Sequence, residues 1–176
     1  MWAFDEHRIG LKPILGKVWA PVGEPPVGER PVAVVQPRYE WSYLHGFVEP
    51  GSGRNFWWLT SWIEGEALSL VLQEFASWSG AGAQKLILLV VDQAGWHKSG
   101  EATVPAGIRL VFLPPRSPEL QPAERLWPLS NEAICNRRFE TLEELELEQS
   151  TRCCQLMQQT DLVQRHTGFH WWPYTN

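Results

Sequence analysis

The sequence feature that most constrains the fold is an uninterrupted apolar run, LILLVVD at positions 86–92, which an aspartate closes. A strand that is apolar at every position, rather than at every second one, is typical of a strand buried on both faces. Such a strand lies in the middle of a sheet, so the run indicates an α/β domain. The 176 residues of the chain suit one domain with a single hydrophobic core.

The segments before this run predict strands arranged as an antiparallel meander. Residues 1–5 form a short apolar strand candidate that ends at Asp5. Residues 12–31 are rich in proline and glycine, which is typical of a loop or a loose hairpin. A β-branched run, a roughly alternating run and an aromatic run then follow, with a turn before the last of them. These three strand candidates are VAVVQ (32–36), YEWSYLHGFV (39–48) and NFWWLT (55–60).

The segments after the meander alternate between helical and strand patterns. Apolar residues recur at helical spacing over 62–78, and IRLVFL (108–113) indicates another short strand. Helical patterns resume beyond Ser117, where Pro122 suits a first helical turn and Pro128 predicts a kink or a restart. This order of strands, helix, strands and helices predicts an α/β fold with a mixed sheet flanked by helices.

The negative charge of the chain is concentrated in one predicted helix. The segment FETLEELELE (139–148) contains five glutamates and no basic residue, while the whole chain has a net charge of −5. Thr141 and Glu144 form a capping box that opens a last helix of about 15 residues. We therefore expect an acidic, helical C-terminal part at about 139–165. DNA-binding domains are usually basic, so the near-neutral remainder gives no support of its own for DNA affinity.

Composition argues against a membrane protein and against a disulfide or zinc framework. No run of 18 apolar residues is present, and the N-terminus MWAFDEHRIG lacks the basic and then apolar pattern of a signal peptide. Cys135, Cys153 and Cys154 show neither CxxC spacing nor a paired framework. We expect a cytoplasmic protein. Its eleven tryptophans should serve mainly in core and interface packing.

Three acids stand where chemistry could occur. Asp92 follows the buried strand, and the carboxyl ends of strands are where α/β sheets place ligand sites. Asp5 ends another strand candidate, and Glu124 lies beside Pro122 in a first helical turn. Each has an ordinary explanation as a strand end, a residue near the chain end or a helix N-terminal charge. Together, carboxylates from separate elements suit Mg²⁺ or Mn²⁺, and a pair of such ions can drive phosphoryl transfer.

At these residues the sequence resembles the catalytic domain of the DDE transposases of the mariner-like and related bacterial insertion-sequence superfamily. Residues 2–19 are similar to the first block of that family, with its Asp-Glu pair and a tryptophan soon after. The second block resembles LILLVVDQAGWHKS (86–99), with a histidine five residues after the aspartate. The third resembles RLVFLPPRSPELQPAERLW (109–127). The resemblance spans roughly residues 1–145 and implies a ribonuclease-H-like fold.

Carried over by position, the resemblance places the three catalytic and metal-binding acids of the family at Asp5, Asp92 and Glu124. It implies two Mg²⁺ or Mn²⁺ ions, metal-assisted cleavage at the ends of an insertion sequence, and strand transfer to target DNA. His97 matches the histidine of the second block. It orders the site, contacts DNA or is an ordinary hydrogen-bonded histidine. Glu6 matches the second acid of the Asp-Glu pair, and no metal is assigned to it.

DNA is the partner that the resemblance implies, and several side chains near the acids are candidates to contact it. Phosphate contacts come mainly from basic side chains, although solvated surface charge is the simpler explanation for any one of them. Two positions depart from the family pattern: Gln121 stands in place of the commoner asparagine, and Arg116 in place of an aromatic residue. Both departures concern the predicted DNA contacts more than catalysis. The tentative DNA-binding residues are His97, Lys98, Arg116 and Arg125, with Arg8 as a further basic neighbour.

The resemblance also concerns what accompanies this domain. We assign residues 1–176 to a single catalytic domain, whereas family members carry helix-turn-helix domains before theirs. A split or frameshifted reading frame, a truncated copy or an expressed fragment would each explain this, with a separately encoded helix-turn-helix half as partner. The family implies a homodimer on paired ends and an association with the nucleoid. Alternative functions are an inactive remnant that binds DNA or a transposase, and a stand-alone ribonuclease-H-like nuclease.

Overall fold

A computed structural model describes residues 1–18, 33–98 and 102–173 of the chain, without the side chain of Lys98. Trp19 of the first family block and Val32 at the start of a predicted strand lie outside the described residues. The described part forms one five-stranded sheet covered by helices on both faces. Its strands are β1 (Trp2–Gly10), β2 (Trp41–Glu49), β3 (Arg54–Thr60), β4 (Ile87–Val91) and β5 (Ile108–Phe112).

The sheet is mixed, and its order is β3-β2-β1-β4-β5. The first three strands pair antiparallel, as the meander predicted, whereas β4 runs parallel to both β1 and β5. The apolar run at 86–92 therefore supplies an internal strand with a neighbour on each edge. In the β1–β4 pair, Trp2 lies opposite Leu89 and Ala3 opposite Val90. Asp5 and Asp92 each come two residues after the last of these pairs, so they lie level at the same end of the sheet.

Two strand predictions were wrong, and pairing between distant segments explains both. β1 does not end at Asp5 but continues to Gly10, because its second half pairs with β2 up to the Gly10–Trp41 pair. Residues 33–36 form no strand. Both edges of β2 are already taken by β1 and β3, so this segment cannot pair with the strand that follows it. Gln36 instead donates a hydrogen bond to the Phe139 carbonyl.

The helices begin and end near the predicted positions. Thr141 caps α4 (Leu142–Gln158) by accepting a hydrogen bond from the Glu144 amide at 3.2 Å, while the Glu144 carboxylate accepts from the Glu140 amide. The predicted restart near Pro128 is found, because α3 (Leu126–Asn131) begins directly after a 3₁₀ turn. Pro128 is the third residue of this new helix, where no backbone donor is needed. The helices are α1 (Gly65–Ser79), α2 (Gly95–Lys98), α3 (Leu126–Asn131), α4 (Leu142–Gln158) and α5 (Thr160–Thr167), with 3₁₀ turns at Pro118–Leu120 and Pro122–Arg125.

The sheet separates two hydrophobic cores. Under α1 the core is aromatic, with Phe75 stacked on Phe47 and edge-on to Trp2. On the other face, residues of β1 and β2 pack against α3, α4 and α5. Successive side chains of β1 point to opposite faces, so this strand contributes to both cores. Among residues 1–18, 33–98 and 102–173, none of the helices combines the length and the apolar composition of a membrane span.

Candidate active site

A cleft of about 380 Å³ opens at the end of the sheet where β1 and β4 lie side by side. The segment after β4, the loop after β5 and the 3₁₀ turn that contains Glu124 form its walls. All three acids singled out by the sequence, Asp5, Asp92 and Glu124, line this cleft. They are brought together from three segments that are far apart along the chain.

Asp5 lies on β1 at the back of the cleft and is only 8% exposed. Its Oδ2 atom accepts a hydrogen bond from the indole nitrogen of Trp127 at 3.1 Å. Burial, followed by repulsion from Glu6 and Glu124, raises the pKa of Asp5 to about 8, against the lowering effect of the Trp127 bond. The site therefore holds a carboxyl group in a position where a negative charge is poorly compensated by the protein alone.

Asp92 follows β4 directly. Its side chain is 49% exposed and lines the cleft. Its Oδ1 atom accepts a hydrogen bond from the Ala94 amide at 2.9 Å. This bond closes a local turn that leads into α2. The same oxygen lies 2.8 Å from Nδ1 of His97. Backbone and side-chain donors thus fix the orientation of this acid.

Glu124 lies on the 3₁₀ turn Pro122–Arg125 and is exposed. Pro122 is the first residue of the turn, as the sequence indicated, although the turn is 3₁₀ rather than α-helical. Partial removal of water from the carboxyl group in the cleft, and then the negative charge of Asp92, raise the pKa of Glu124. Since the charge of Glu124 also acts on Asp5, the three acids lie within electrostatic range of one another.

Gln121 connects this turn to the sheet. Pairing of β1 with β4 stops at Ala3, and the Gln121 side-chain amide donates to the Phe4 carbonyl at 2.9 Å, just beyond that point. Its side-chain oxygen accepts from the Ala123 amide and caps the turn. The resemblance predicted that the departure at Gln121 concerns DNA contacts. Gln121 is buried, so the departure instead concerns the position of the turn that carries Glu124.

Replacing Gln121 with alanine should lower the free energy of unfolding by about 1–3 kcal/mol, because the buried Phe4 carbonyl loses its partner and the turn loses its cap. Urea unfolding measures this change. Gln73→Ala, at an exposed position of α1, is the matched control and should change stability by less than about 0.5 kcal/mol. Equal midpoints for the two variants would contradict the role given to Gln121.

A buried ion pair lies beneath Asp92, on the face of the sheet opposite Asp5. Nε2 of His97 is 2.8 Å from Oε1 of Glu6, and their side chains are 1% and 4% exposed. Trp96 also donates to Glu6, at 3.3 Å. Burial alone would lower the pKa of His97, but hydrogen bonds and charge attraction from Asp92 and Glu6 outweigh it and raise the pKa to about 10. The histidine is therefore a cation between two carboxylates.

The other candidate DNA contacts occupy different environments. Arg116 is exposed and lines the cleft. The Arg125 guanidinium lies 3.9 Å from the centre of the Phe169 ring and donates to the Gly168 carbonyl at 3.5 Å, which ties it to the end of α5. His97 faces protein groups, so a DNA contact from it requires the Glu6 pair to open. The side chain of Lys98 lies outside the described residues.

The donor chemistry of the cleft fits a hard divalent cation. Its acidic lining consists of three carboxylates, Asp5, Asp92 and Glu124, and oxygen ligands are those that Mg²⁺ and Mn²⁺ prefer. Within residues 1–18, 33–98 and 102–173, no three His, Cys, Asp or Glu side chains form a ready-made metal cluster. The acids therefore match such an ion in kind, although they do not form a ready-made cluster in this structure.

Sequence reasoning missed the groups that hold the acids in place. Trp127 is the last residue of the third block, and no sequence pattern predicts its bond to Asp5. The resemblance assigns no metal to Glu6, and it predicted that the departure at Gln121 affects DNA contacts. A signal did exist for Trp127 and Glu6, because both lie inside the blocks that resemble the family and close in sequence to a candidate acid.

The fold and the cleft together define an α/β domain with a carboxylate-lined site, and comparison with known proteins identifies its family. A family model described as DDE superfamily endonuclease matches residues 1–146, which is most of the chain. The chain therefore belongs to the DDE superfamily endonucleases. Its membership of the DDE group was predicted from the three sequence blocks and is confirmed.

Two kinds of relative give this assignment more detail. An uncharacterised protein of Sinorhizobium fredii, y4pE/y4sA, is 36% identical over 115 residues, which cover 65% of this chain and 81% of that protein. Among solved structures, the Mos1 transposase paired-end complex matches with a TM-score of 0.57 at 12% identity. The Mos1 mariner paired-end complex with Mn matches with a TM-score of 0.55 at 13% identity.

These structural matches confirm the predicted ribonuclease-H-like mixed sheet. In both, the alignment covers 97% of this chain and 56% of the Mos1 chain. The chain thus spans little more than half the length of the Mos1 transposase that it resembles. At 12–13% identity the likeness concerns the fold.

Proposed function

We propose that this chain is the catalytic domain of a transposase, which cleaves DNA at the ends of an insertion sequence and joins the freed 3′-hydroxyl to target DNA. The observation that carries the proposal is the single cleft that Asp5, Asp92 and Glu124 line. The endonuclease family to which the chain belongs is consistent with chemistry on phosphodiester bonds.

In this proposal Asp5, Asp92 and Glu124 hold two Mg²⁺ or Mn²⁺ ions. When bound, such ions activate the attacking oxygen and stabilise the leaving oxygen of an in-line phosphoryl transfer. The protein contributes the placement of the ligands. Trp127 fixes Asp5, the Ala94 amide fixes one oxygen of Asp92, and the turn capped by Gln121 brings Glu124 to the same cleft.

The substrate proposal follows from the chemistry of the cleft and from its relatives. Solved Mos1 structures include a paired-end complex, a strand transfer complex and paired-end complexes with Mn and with Mg. By analogy we infer that transposon ends and target DNA are the substrates here, with Arg116 at the rim of the cleft as a phosphate contact. A homodimer and a separately encoded helix-turn-helix half remain predictions. Sedimentation in the analytical ultracentrifuge would test the first, and the upstream gene sequence would test the second.

The proposal is tested by nicking of supercoiled plasmid DNA in the presence of Mn²⁺. The wild-type chain should nick the plasmid only when the metal is present. Glu124→Gln should slow nicking by at least about 100-fold, because a charged ligand contributes several kcal/mol to catalysis and each 1.4 kcal/mol is a factor of ten in rate. Glu119→Gln changes an exposed carboxylate of the neighbouring 3₁₀ turn and should leave the rate unchanged.

The same assay separates the proposed function from its alternatives. Joining of a labelled 3′-hydroxyl end to plasmid DNA distinguishes a transposase from a stand-alone nuclease, which would hydrolyse DNA without joining it. Binding of Mn²⁺ without nicking or joining would indicate an inactive remnant. Nicking that is equally fast in wild type and Glu124→Gln would refute the assignment of the site.

A further inference from the structure

A continuous set of contacts runs from the buried side of the sheet to the cleft. Glu6 binds Nε2 of His97 at 2.8 Å, and Nδ1 of His97 lies 2.8 Å from Oδ1 of Asp92. The first two side chains are almost fully buried, whereas Asp92 is half exposed at the cleft. One buried ion pair therefore ends on an acid of the proposed active site.

The ion pair has the bonding of a fully satisfied polar network. A buried carboxylate without partners is strongly destabilising, and Glu6 here accepts from both His97 and Trp96. Each ring nitrogen of His97 faces a carboxylate oxygen. Both nitrogens therefore act as donors, which requires the protonated imidazole. The ring cannot turn without breaking one of these two bonds, so its position is fixed.

The geometry of β1 explains why this pair matters for the cleft. Asp5 and Glu6 are neighbours on this strand, and adjacent side chains of a strand point to opposite faces. Asp5 lines the cleft directly, while Glu6 reaches Asp92 through His97. β1 thus carries Asp5 itself and supports Asp92 through the contact of Glu6 with His97.

We infer that His97, held by Glu6, is a positioning residue that orients the Asp92 carboxylate for cation binding in the cleft. The inference rests on the proposed function, since it assumes that Asp92 is a metal ligand. It assigns Glu6, the second acid of the Asp-Glu pair, to the support of Asp92 rather than to the metal. Outer partners of metal ligands commonly change metal affinity by about 10–100-fold when they are removed.

Two substitutions of His97 separate its two bonds. The side-chain nitrogen of asparagine corresponds to Nδ1 of histidine, and that of glutamine corresponds to Nε2. His97→Asn therefore keeps a donor to Asp92, whereas His97→Gln keeps only the donor to Glu6. We expect His97→Gln to weaken Mn²⁺ binding by about 10–100-fold, and His97→Asn to stay within about threefold of wild type.

The measurement is Mn²⁺ titration of the whole chain without DNA, followed by electron paramagnetic resonance, with urea unfolding of each variant as a check on folding. Glu6→Gln is a further variant, because its side-chain oxygen still accepts from Nε2 while the charge is lost. It should weaken Mn²⁺ binding less than His97→Gln does. A purely structural role would lower the stability of both His97 variants and would not separate their Mn²⁺ affinities.

The possible outcomes distinguish this inference from the function on which it rests. If the folded wild-type chain binds no Mn²⁺, the metal-dependent function fails, and the inference fails with it. If wild type binds Mn²⁺ and His97→Gln binds it equally well, the positioning role is wrong and the proposed function stands. If His97→Asn and His97→Gln lose affinity equally, the bond to Asp92 is not what matters, and the inference is overturned. Should neither His97 variant fold, Glu6→Gln decides, and unchanged Mn²⁺ affinity in it rejects the role of the pair.

Discussion

Replacing Asp92 with asparagine should reduce Mn²⁺-dependent nicking by at least about 1000-fold, which corresponds to a loss of about 4 kcal/mol of transition-state stabilisation. The substitution removes the negative charge and almost nothing else. An asparagine oxygen can still accept from the Ala94 amide, so the turn into α2 is kept. We expect a larger effect than for Glu124→Gln, because Asp92 is fixed by protein donors while Glu124 is exposed on a short turn.

The rate is measured on supercoiled plasmid over a range of Mn²⁺ concentrations, so that weak metal binding is not mistaken for slow chemistry. Asp161→Asn is the matched control, because it makes the same chemical change at an exposed position in the first turn of α5. It should nick at the wild-type rate. A folded Asp92→Asn chain that nicks within tenfold of wild type would show that Asp92 is not a ligand of the catalytic metal.

Replacing Phe75 with alanine should lower the free energy of unfolding by about 3–5 kcal/mol. Phe75 is completely buried. The centroid of its ring lies 4.2 Å from that of Phe47 and 5.1 Å from that of Trp2. Its removal leaves a cavity between α1 and the sheet, which the surrounding rings cannot close without giving up their own contacts. Domains of this size are stable by only about 5–15 kcal/mol, so the loss is a large fraction of the total.

Urea denaturation followed by tryptophan fluorescence measures this loss. Leu70→Ala on the same helix is the control, since Leu70 is 42% exposed and its truncation should cost less than about 1 kcal/mol. At urea concentrations well below its unfolding midpoint, the Phe75→Ala variant should still bind Mn²⁺, because the cleft lies at the end of the sheet and not against α1. Similar midpoints for the two variants would mean that the aromatic core is not the main source of stability on this face.

Patterns that depend on neighbours in sequence allowed much of the fold to be predicted. The apolar run at 86–92 is a local pattern, and it predicted the internal strand β4. Its second half is buried on both faces, whereas Leu86 and Leu88 are exposed on one face. The Thr141 cap and the α1 stripe are local in the same way. The length of β1 is not local, because its second half is extended through pairing with β2, some 30 to 40 residues later. The β-branched run at 32–36 predicted a strand from propensity, but β2 offers it no free edge.

The candidate site likewise has one part that the sequence could predict and one part that it could not. Its three acids could be proposed because each lies in a block of unusual residues whose order resembles that of a known family. The contacts that support them join residues far apart along the chain: Gln121 and Phe4 are 117 positions apart, and His97 and Glu6 are 91 apart. No periodicity within one segment can reveal such a pair. They become visible only once the sheet brings β1, the end of β4 and the 3₁₀ turn together.

The adjacency of Asp5 and Glu6 on β1 limits how this chain can tolerate insertions. A single extra residue early in the strand would slide every later side chain to the other side of the sheet. Asp5 would then turn away from the cleft, and Phe4 or the inserted residue would take its place there. Glu6 would leave the face on which His97 lies, so one insertion would disrupt both contacts, whereas a substitution changes only one side chain.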